Sequence, residues 1–177
     1  MCLIFKEIIA KTCSECDNKK TKNKETCFIS LCRDRKGKKS FKNLFETSRH
    51  DDIYCEKCKK NTKHSENINY KLDTNTQYLI IRINLSMVAY DKVHRYKMKI
   101  DDFDPDSVKI PGINETFMLK STIIHEEIHD PNHPTAGHYT CQVKLSNTWF
   151  LLSDMNCTKR NLNKYLNDSF ILLLEKK

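Results

Sequence analysis

The sequence points to an α+β fold made mostly of antiparallel strands, and three observations carry that expectation. From residue 68 onward the chain is a succession of short runs rich in Ile, Leu, Tyr and Thr. Turn-formers separate them, in "DPDS", "PGIN", "HDPNHPTAG" and "SN". Two stretches have helical spacing instead and supply the α part.

In chain order, residues 3 to 12 read as a strand or short helix leading into "CSEC". "TCFISLCRD" is apolar enough for a strand, and after a charged turn "KKSFKNLFETSRHDDIY" sets Phe41, Leu44 and Phe45 at helical spacing. A second C-x-x-C, "CEKC", follows. The strand candidates beyond it are "QYLIIRINLS", "RYKMKI", "TFMLKSTIIH", "GHYTCQVKL", "TWFLLSD" and "FILLLEKK", with a hairpin turn at Ser146-Asn147. Between the last two, "KRNLNKYLND" predicts a helix over 159–168, with Leu162, Tyr165 and Leu166 on one face. The polar stretch "EEIHDPNHPTAG", residues 126–137, is a loop of a length that tends to carry function. Two regions result, a cysteine-rich one over 1–67 and a strand-rich one over 68–177, and no internal repeat joins them.

A chain of 177 residues is long enough for one domain with a real core, or a core plus a small appendage. No stretch reaches the roughly 18 apolar residues of a membrane span, and the apolar run in "MCLIFKEIIAK" is too short for a secretory core and lacks a small-residue cleavage site. The expectation is a soluble intracellular protein of the cytoplasm or nucleus. The net charge of +8 falls entirely within the first 64 residues. Such asymmetry fits nucleic acid or an acidic partner, and equally a solvated face around "DNKKTKNK" and "RDRKGKK".

Nine cysteines, an odd number without a secretory signal, argue against a disulfide framework. Cys13 and Cys16 form one C-x-x-C pair, and Cys55 and Cys58 the other. Each such turn presents two sulfurs to one ion, and four thiolates satisfy the tetrahedral demand of a structural Zn2+. The competing reading is four free thiols. Cys27 and Cys32 have poorer spacing and are core or incidental. His138 acts as a general base only if a nucleophile and an orienting acceptor lie beside it; alone on a strand edge, a histidine is structural.

Together the two C-x-x-C pairs, "YLIIRINL", "FMLKSTIIH", "GHYTCQVK", a Trp followed by "SD", and the closing "SFILLLEK" resemble the ubiquitin-specific proteases. That family comprises papain-like cysteine deubiquitinases shaped as thumb, palm and fingers. The resemblance runs from about residue 5 to 176. It implies zinc knuckles in β fingers over 1–67, an antiparallel palm over 68–177, and a thumb largely missing. It also implies that Gly137 and Tyr139 contact the ubiquitin tail, and that His138 is the base drawing a proton from a catalytic thiol. The orienting position, four residues after Trp149, holds Ser153 where the family usually has Asp or Asn. Ser153 would orient His138 by accepting its Nδ1 proton, with Asp154 assisting.

Other positions depart from the family. The strand often ending "KRF" reads "RIN" at Arg82 to Asn84, and the loop before Gly137 is longer, with His125 at the upstream His position. No segment matches the family's "N-x-G-N-T-C-Y" nucleophile box. Cys2 in "MCLIF" lacks its Asn, Gly and Thr, Cys141 points away from His138 by strand alternation, and Cys157 lies beyond the Trp strand. The resemblance thus implies ubiquitin and ubiquitinated proteins as partners and thiol-dependent hydrolysis of ubiquitin isopeptide or peptide bonds, with the nucleophile absent from this chain. The alternatives are a catalytically inactive ubiquitin-binding fragment and, more remotely, a basic zinc-bearing nucleic-acid-binding module.

Overall fold

A computed structural model describes residues 4–32, 41–45, 48–84, 86–89, 92–95, 103–127, 137–162 and 169–177. In chain order the strands are β1 (Phe5–Cys13), β2 (Lys19–Thr26), β3 (Ile29–Cys32), β4 (Ser48–Cys55), β5 (Lys60–Lys71), β6 (Tyr78–Asn84) and β7 (Ser86–Ala89). They continue as β8 (Lys92–Arg95), β9 (Val108–Lys109), β10 (Thr116–Glu127), β11 (Gly137–Leu145), β12 (Thr148–Ser153), β13 (Asn156–Lys159) and β14 (Ser169–Lys176).

Three sheets result. A four-stranded antiparallel sheet has the order β2-β1-β5-β4. An eight-stranded sheet runs β13-β12-β11-β10-β14-β6-β3, with β9 beside β10, and β7 and β8 pair separately. All pairings are antiparallel except β3 with β6. β3 therefore leaves the cysteine-rich region to become an edge of the larger sheet, where Ile29 lies opposite Ile81.

The architecture is nearly all β, which corrects the expected α+β class. Among the described residues the only helix is a single 3-10 turn, Lys42–Phe45, which buries Leu44 beside Phe41. Of the helix expected over 159–168, Lys159 instead ends β13 opposite Phe150, residues 160–162 are irregular, and 163–168 lie outside the described residues. The tight turn at Asp154-Met155 explains the difference: it folds Asn156–Lys159 straight back onto β12. Most of "RYKMKI" also lies outside the described residues.

Strand alternation builds the core. Leu79, Ile81 and Ile83 on β6, Leu172 and Leu174 on β14, and Ile29 and Leu31 on β3 are buried at every second position. On β10, Phe117 and Leu119 face inward, then an irregularity between Leu119 and Ser121 shifts the register, so that Thr122 and Ile124 become the buried pair. This switch aligns Thr122 with Gln142 and Ile124 with Thr140 on β11, making the inner face of the larger sheet partly polar. The smaller sheet joins the same core through Phe5 and Tyr70, whose rings meet edge to face at 6.1 Å.

Leu174 is fully buried between β10 and β6. Leu174→Ala should cost about 2–5 kcal/mol of unfolding free energy by transfer and cavity terms, measured as a lower urea midpoint with an unchanged slope. A cost below about 0.5 kcal/mol would place Leu174 outside the core.

Candidate functional site

Two sites emerge, one at the tips of the smaller sheet and one on the larger. The first links the β1–β2 and β4–β5 hairpins. Because β1 and β5 are antiparallel neighbours, with Cys13 opposite His64, the two hairpin tips lie at the same end of the sheet. The two knuckles repeat one local design. Directly after the second cysteine of each comes a residue in the left-handed region, Asp17 at φ 54° and Lys59 at φ 57°. The amide of each donates to the carbonyl of the first cysteine of its own pair, Asp17 to Cys13 at 3.1 Å and Lys59 to Cys55 at 2.8 Å.

The four sulfurs of Cys13, Cys16, Cys55 and Cys58 lie within 4.8 Å of one another. A tetrahedral Zn2+ with Zn–S bonds of about 2.3 Å places its sulfurs about 3.8 Å apart. The cross-pair distances are 3.9 Å for Cys13 to Cys58 and 3.6 Å for Cys16 to Cys55. The donor set and spacing fit Zn2+ as a closed, structural ion. Cys27 is exposed after β2 and outside this cluster, and Cys32 ends β3 in the other sheet.

The surroundings favour thiolates at two of the four positions. The Cys13 thiol is pushed down to about 6, first by the Thr62 hydroxyl 3.2 Å from its sulfur. Cys55 is lowered first by a backbone N–H at Cys58. Cys58 is pushed up, chiefly by the Cys16 thiol beside it. Two ion pairs cross between the knuckles: Glu15 in the first meets Lys60 after the second at 2.7 Å, and Glu56 in the second meets Lys20 after the first at 2.6 Å. Thr62 and these crossed pairs carry no signal in the sequence, because they depend on which hairpins adjoin.

The second site lies where β11 meets β12. His138 Nε2 is 2.9 Å from Ser153 Oγ and 3.7 Å from Asp154 Oδ2. The ring nitrogen facing Ser153 is Nε2, not the Nδ1 expected from the sequence, and this leaves Nδ1 directed away from the orienting group. Asp154 occupies the first turn position of the β12–β13 hairpin at φ 50°, a conformation Asp tolerates well. Its carboxylate is 77% exposed, so its pull on the imidazole is screened.

Gly137 opens β11 opposite Glu127. Tyr139 projects from the opposite face of β11 to His138 and packs edge-on against His125 at 4.3 Å and Phe170 at 6.1 Å. The Arg82 guanidinium caps Phe170 at 5.3 Å. Cys141 lies on the Tyr139 face, and burial pushes its thiol up. Cys157 is exposed on β13 opposite Leu152, and Cys2 lies outside the described residues. None of the described cysteines meets His138. A cleft of about 480 Å³ between Phe41, Phe103 and Ile110 shares no residue with either site.

No family model and no curated protein matches the chain. Solved structures do. A chain of the SAGA Ubp8/Sgf11/Sus1/Sgf73 DUB module bound to ubiquitin aldehyde superposes with a TM-score of 0.68 at 14% identity. The same module bound to monoubiquitin gives 0.73 at 15%, and a yeast SAGA DUB module with a mutant Sgf73 gives 0.76 at 14%. Each match covers 99% of this chain and 41% of the other, so the chain spans about two-fifths of the length of these structures. The likeness is one of fold: a strand-rich body of the ubiquitin-specific protease kind, with fingers-like and palm-like sheets.

Metal analysis should find one Zn2+ per chain, and Cys13→Ser or Cys58→Ser should release it. Hydrogen exchange should then lose protection in β1 and β5 while β10 and β14 keep theirs, because the core of the larger sheet does not contain the ion. Wild-type protein purified without Zn2+ and fully protected in β1 would refute the site.

Proposed function

We propose that this chain forms the fingers and palm of a ubiquitin-specific protease, gripping ubiquitin and supplying the general base of a cysteine-type deubiquitinase. The observation that carries the reading is the pairing of His138 with Ser153 on the palm of a fold shared, over 99% of this chain, with DUB modules bound to ubiquitin. Nucleic acid is less favoured. Three lysines of the basic region are spent on Glu15, Glu56 and Glu66. The lysines of β2 line an exposed sheet edge, a common device against edge-to-edge pairing.

In this reading the residues divide the chemistry as follows. Nδ1 of His138 takes the proton of a cysteine thiol while Nε2–H is held by Ser153, and Asp154 adds a screened favourable charge. The thiolate adds to the carbonyl carbon of the C-terminal Gly of ubiquitin. The tetrahedral intermediate collapses as the lysine amine leaves with the proton from His138, and water then hydrolyses the thioester with His138 again as base. Gly137 and Tyr139 border the tail. The thiol comes from a segment outside these 177 residues, in the same product or in trans. Without it the chain binds ubiquitin and does not cleave.

Zinc-loaded protein passed over immobilised ubiquitin at about 0.15 M salt should be retained, and the same protein should pass through a DNA column. His138→Ala should leave ubiquitin retention unchanged. In an assembly completed with the thiol segment, it should reduce turnover by about 10²- to 10⁴-fold, the range of a lost general base. Passage through the ubiquitin column would end this reading; parallel loss of binding and turnover would make His138 structural.

A further inference from the structure

The stretch of β5 that leaves the second knuckle buries polar side chains. Between Lys60 and Asn67 only Thr62 and His64 are buried, at 4% and 8% exposed. A strand position that serves packing alone suits Val or Ile, whereas a buried hydroxyl or imidazole needs a partner. Alternation puts both residues on one face of β5, and because His64 pairs with Cys13 across to β1, that face is the one carrying Cys13. His64 Nδ1 lies 3.1 Å from the Thr62 carbonyl, close to where the β4–β5 ladder is interrupted between His50 and Ile53. A carbonyl only accepts, so Nδ1 carries the hydrogen of this bond.

The Thr62 hydroxyl meets a sulfur. Its Oγ1 is 3.2 Å from Cys13 Sγ. Between a thiol and a hydroxyl such a contact runs in either direction, but at a metal centre it runs in one. A coordinating thiol is deprotonated and has only lone pairs to offer, so the hydroxyl donates. A hydrogen bond to an ionised acceptor is of the stronger kind, and it also fixes how the sulfur is turned. Ser14, in the same knuckle, makes the contrast. Its hydroxyl and its amide both donate to the Lys63 carbonyl, at 2.9 Å and 3.0 Å, fastening the knuckle to β5 through backbone instead of sulfur.

We infer that Thr62 is a positioning residue of the metal centre: its hydroxyl donates to the Cys13 thiolate, fixes the direction in which that sulfur faces the ion, and so sets how tightly Zn2+ is retained. His64 supports it by holding the Thr62 carbonyl. Neither residue belongs to the four-sulfur cluster itself. The inference needs that cluster and is independent of ubiquitin and of the role of His138.

The readouts are Zn2+ affinity by chelator competition and the sulfur-to-metal charge-transfer band of Co2+-loaded protein, which follows the electron density on the sulfurs. Thr62→Val keeps the branched shape and removes the hydroxyl. It should weaken Zn2+ binding about 10- to 100-fold, the effect of losing a partner that orients a ligand, and move the band to lower energy. Thr62→Ser should restore both, and Ser14→Ala, which loosens the same knuckle, should leave the band in place. If Thr62→Val does not fold, Cd2+-loaded wild-type protein carries the test, because the Thr62 hydroxyl proton should couple to the cadmium nucleus through the sulfur. A Thr62 hydroxyl proton without that coupling would overturn the assignment. So would Thr62→Val with wild-type affinity, or with weakened affinity and an unmoved band, the mark of packing alone. Wild-type protein that takes up no metal would end the site and this inference together.

Discussion

One extra residue in the middle of β10 sets the inner surface of the larger sheet. β10 is hydrogen-bonded on both sides, to β11 and β14, so a change of phase within it is passed to its neighbours. Before the irregularity at Lys120 the inward residues are Phe117 and Leu119; after it Thr122 and Ile124 face that way, a second irregularity follows between Ile123 and Ile124, and His125 is buried against Tyr139 on the other face. Were β10 regular, Ile123 and His125 would face the core, and the β11 residues opposite them, Cys141 and Tyr139, would turn inward with them. His138 would then lie on the far side from its present one. The apolar half of the sheet supplies stability, and the half beyond the bulge carries the hydroxyls, amide and imidazole.

The two sites make different use of charge. At the knuckles, four sulfurs are crowded where like charges oppose one another, and the hydrogen bond from Thr62 and the amide near Cys55 prepare two of them for a cation. At the palm, the imidazole is partly exposed and its nearest partner is neutral, so hydrogen-bond direction matters more there than field strength. A hydroxyl in place of a carboxylate gives up the attraction that stabilises an imidazolium.

Much of this was legible in the residues because it depends on local chemistry. The knuckles follow from C-x-x-C spacing, the strand "GHYTCQVKL" matches Gly137–Leu145, and the Ser146-Asn147 turn joins Leu145 to Thr148 as its residue types suggest. Lys159, expected to open a helix because Leu162, Tyr165 and Leu166 have helical spacing, instead ends β13, since the turn at Asp154-Met155 folds Asn156–Lys159 back onto β12. The burial of Thr140, the bulge at Lys120 and the choice of Nε2 over Nδ1 depend on contacts across strands. Nothing within a single segment signals them.

The four-sulfur cluster also shapes how this chain reaches its folded state. Between the two knuckles the chain leaves the smaller sheet, runs through β3 along the edge of the larger one, and returns to form β4. The ion therefore closes a loop that contains an edge strand of the other sheet. Each hairpin is local and fast to form, whereas the parallel pairing of β3 with β6 joins residues distant in sequence and has to meet the entropy of closing that distance. An ion held by the four sulfurs links Cys16 to Cys55 and so ties down both ends of the excursion that carries β3 into the larger sheet.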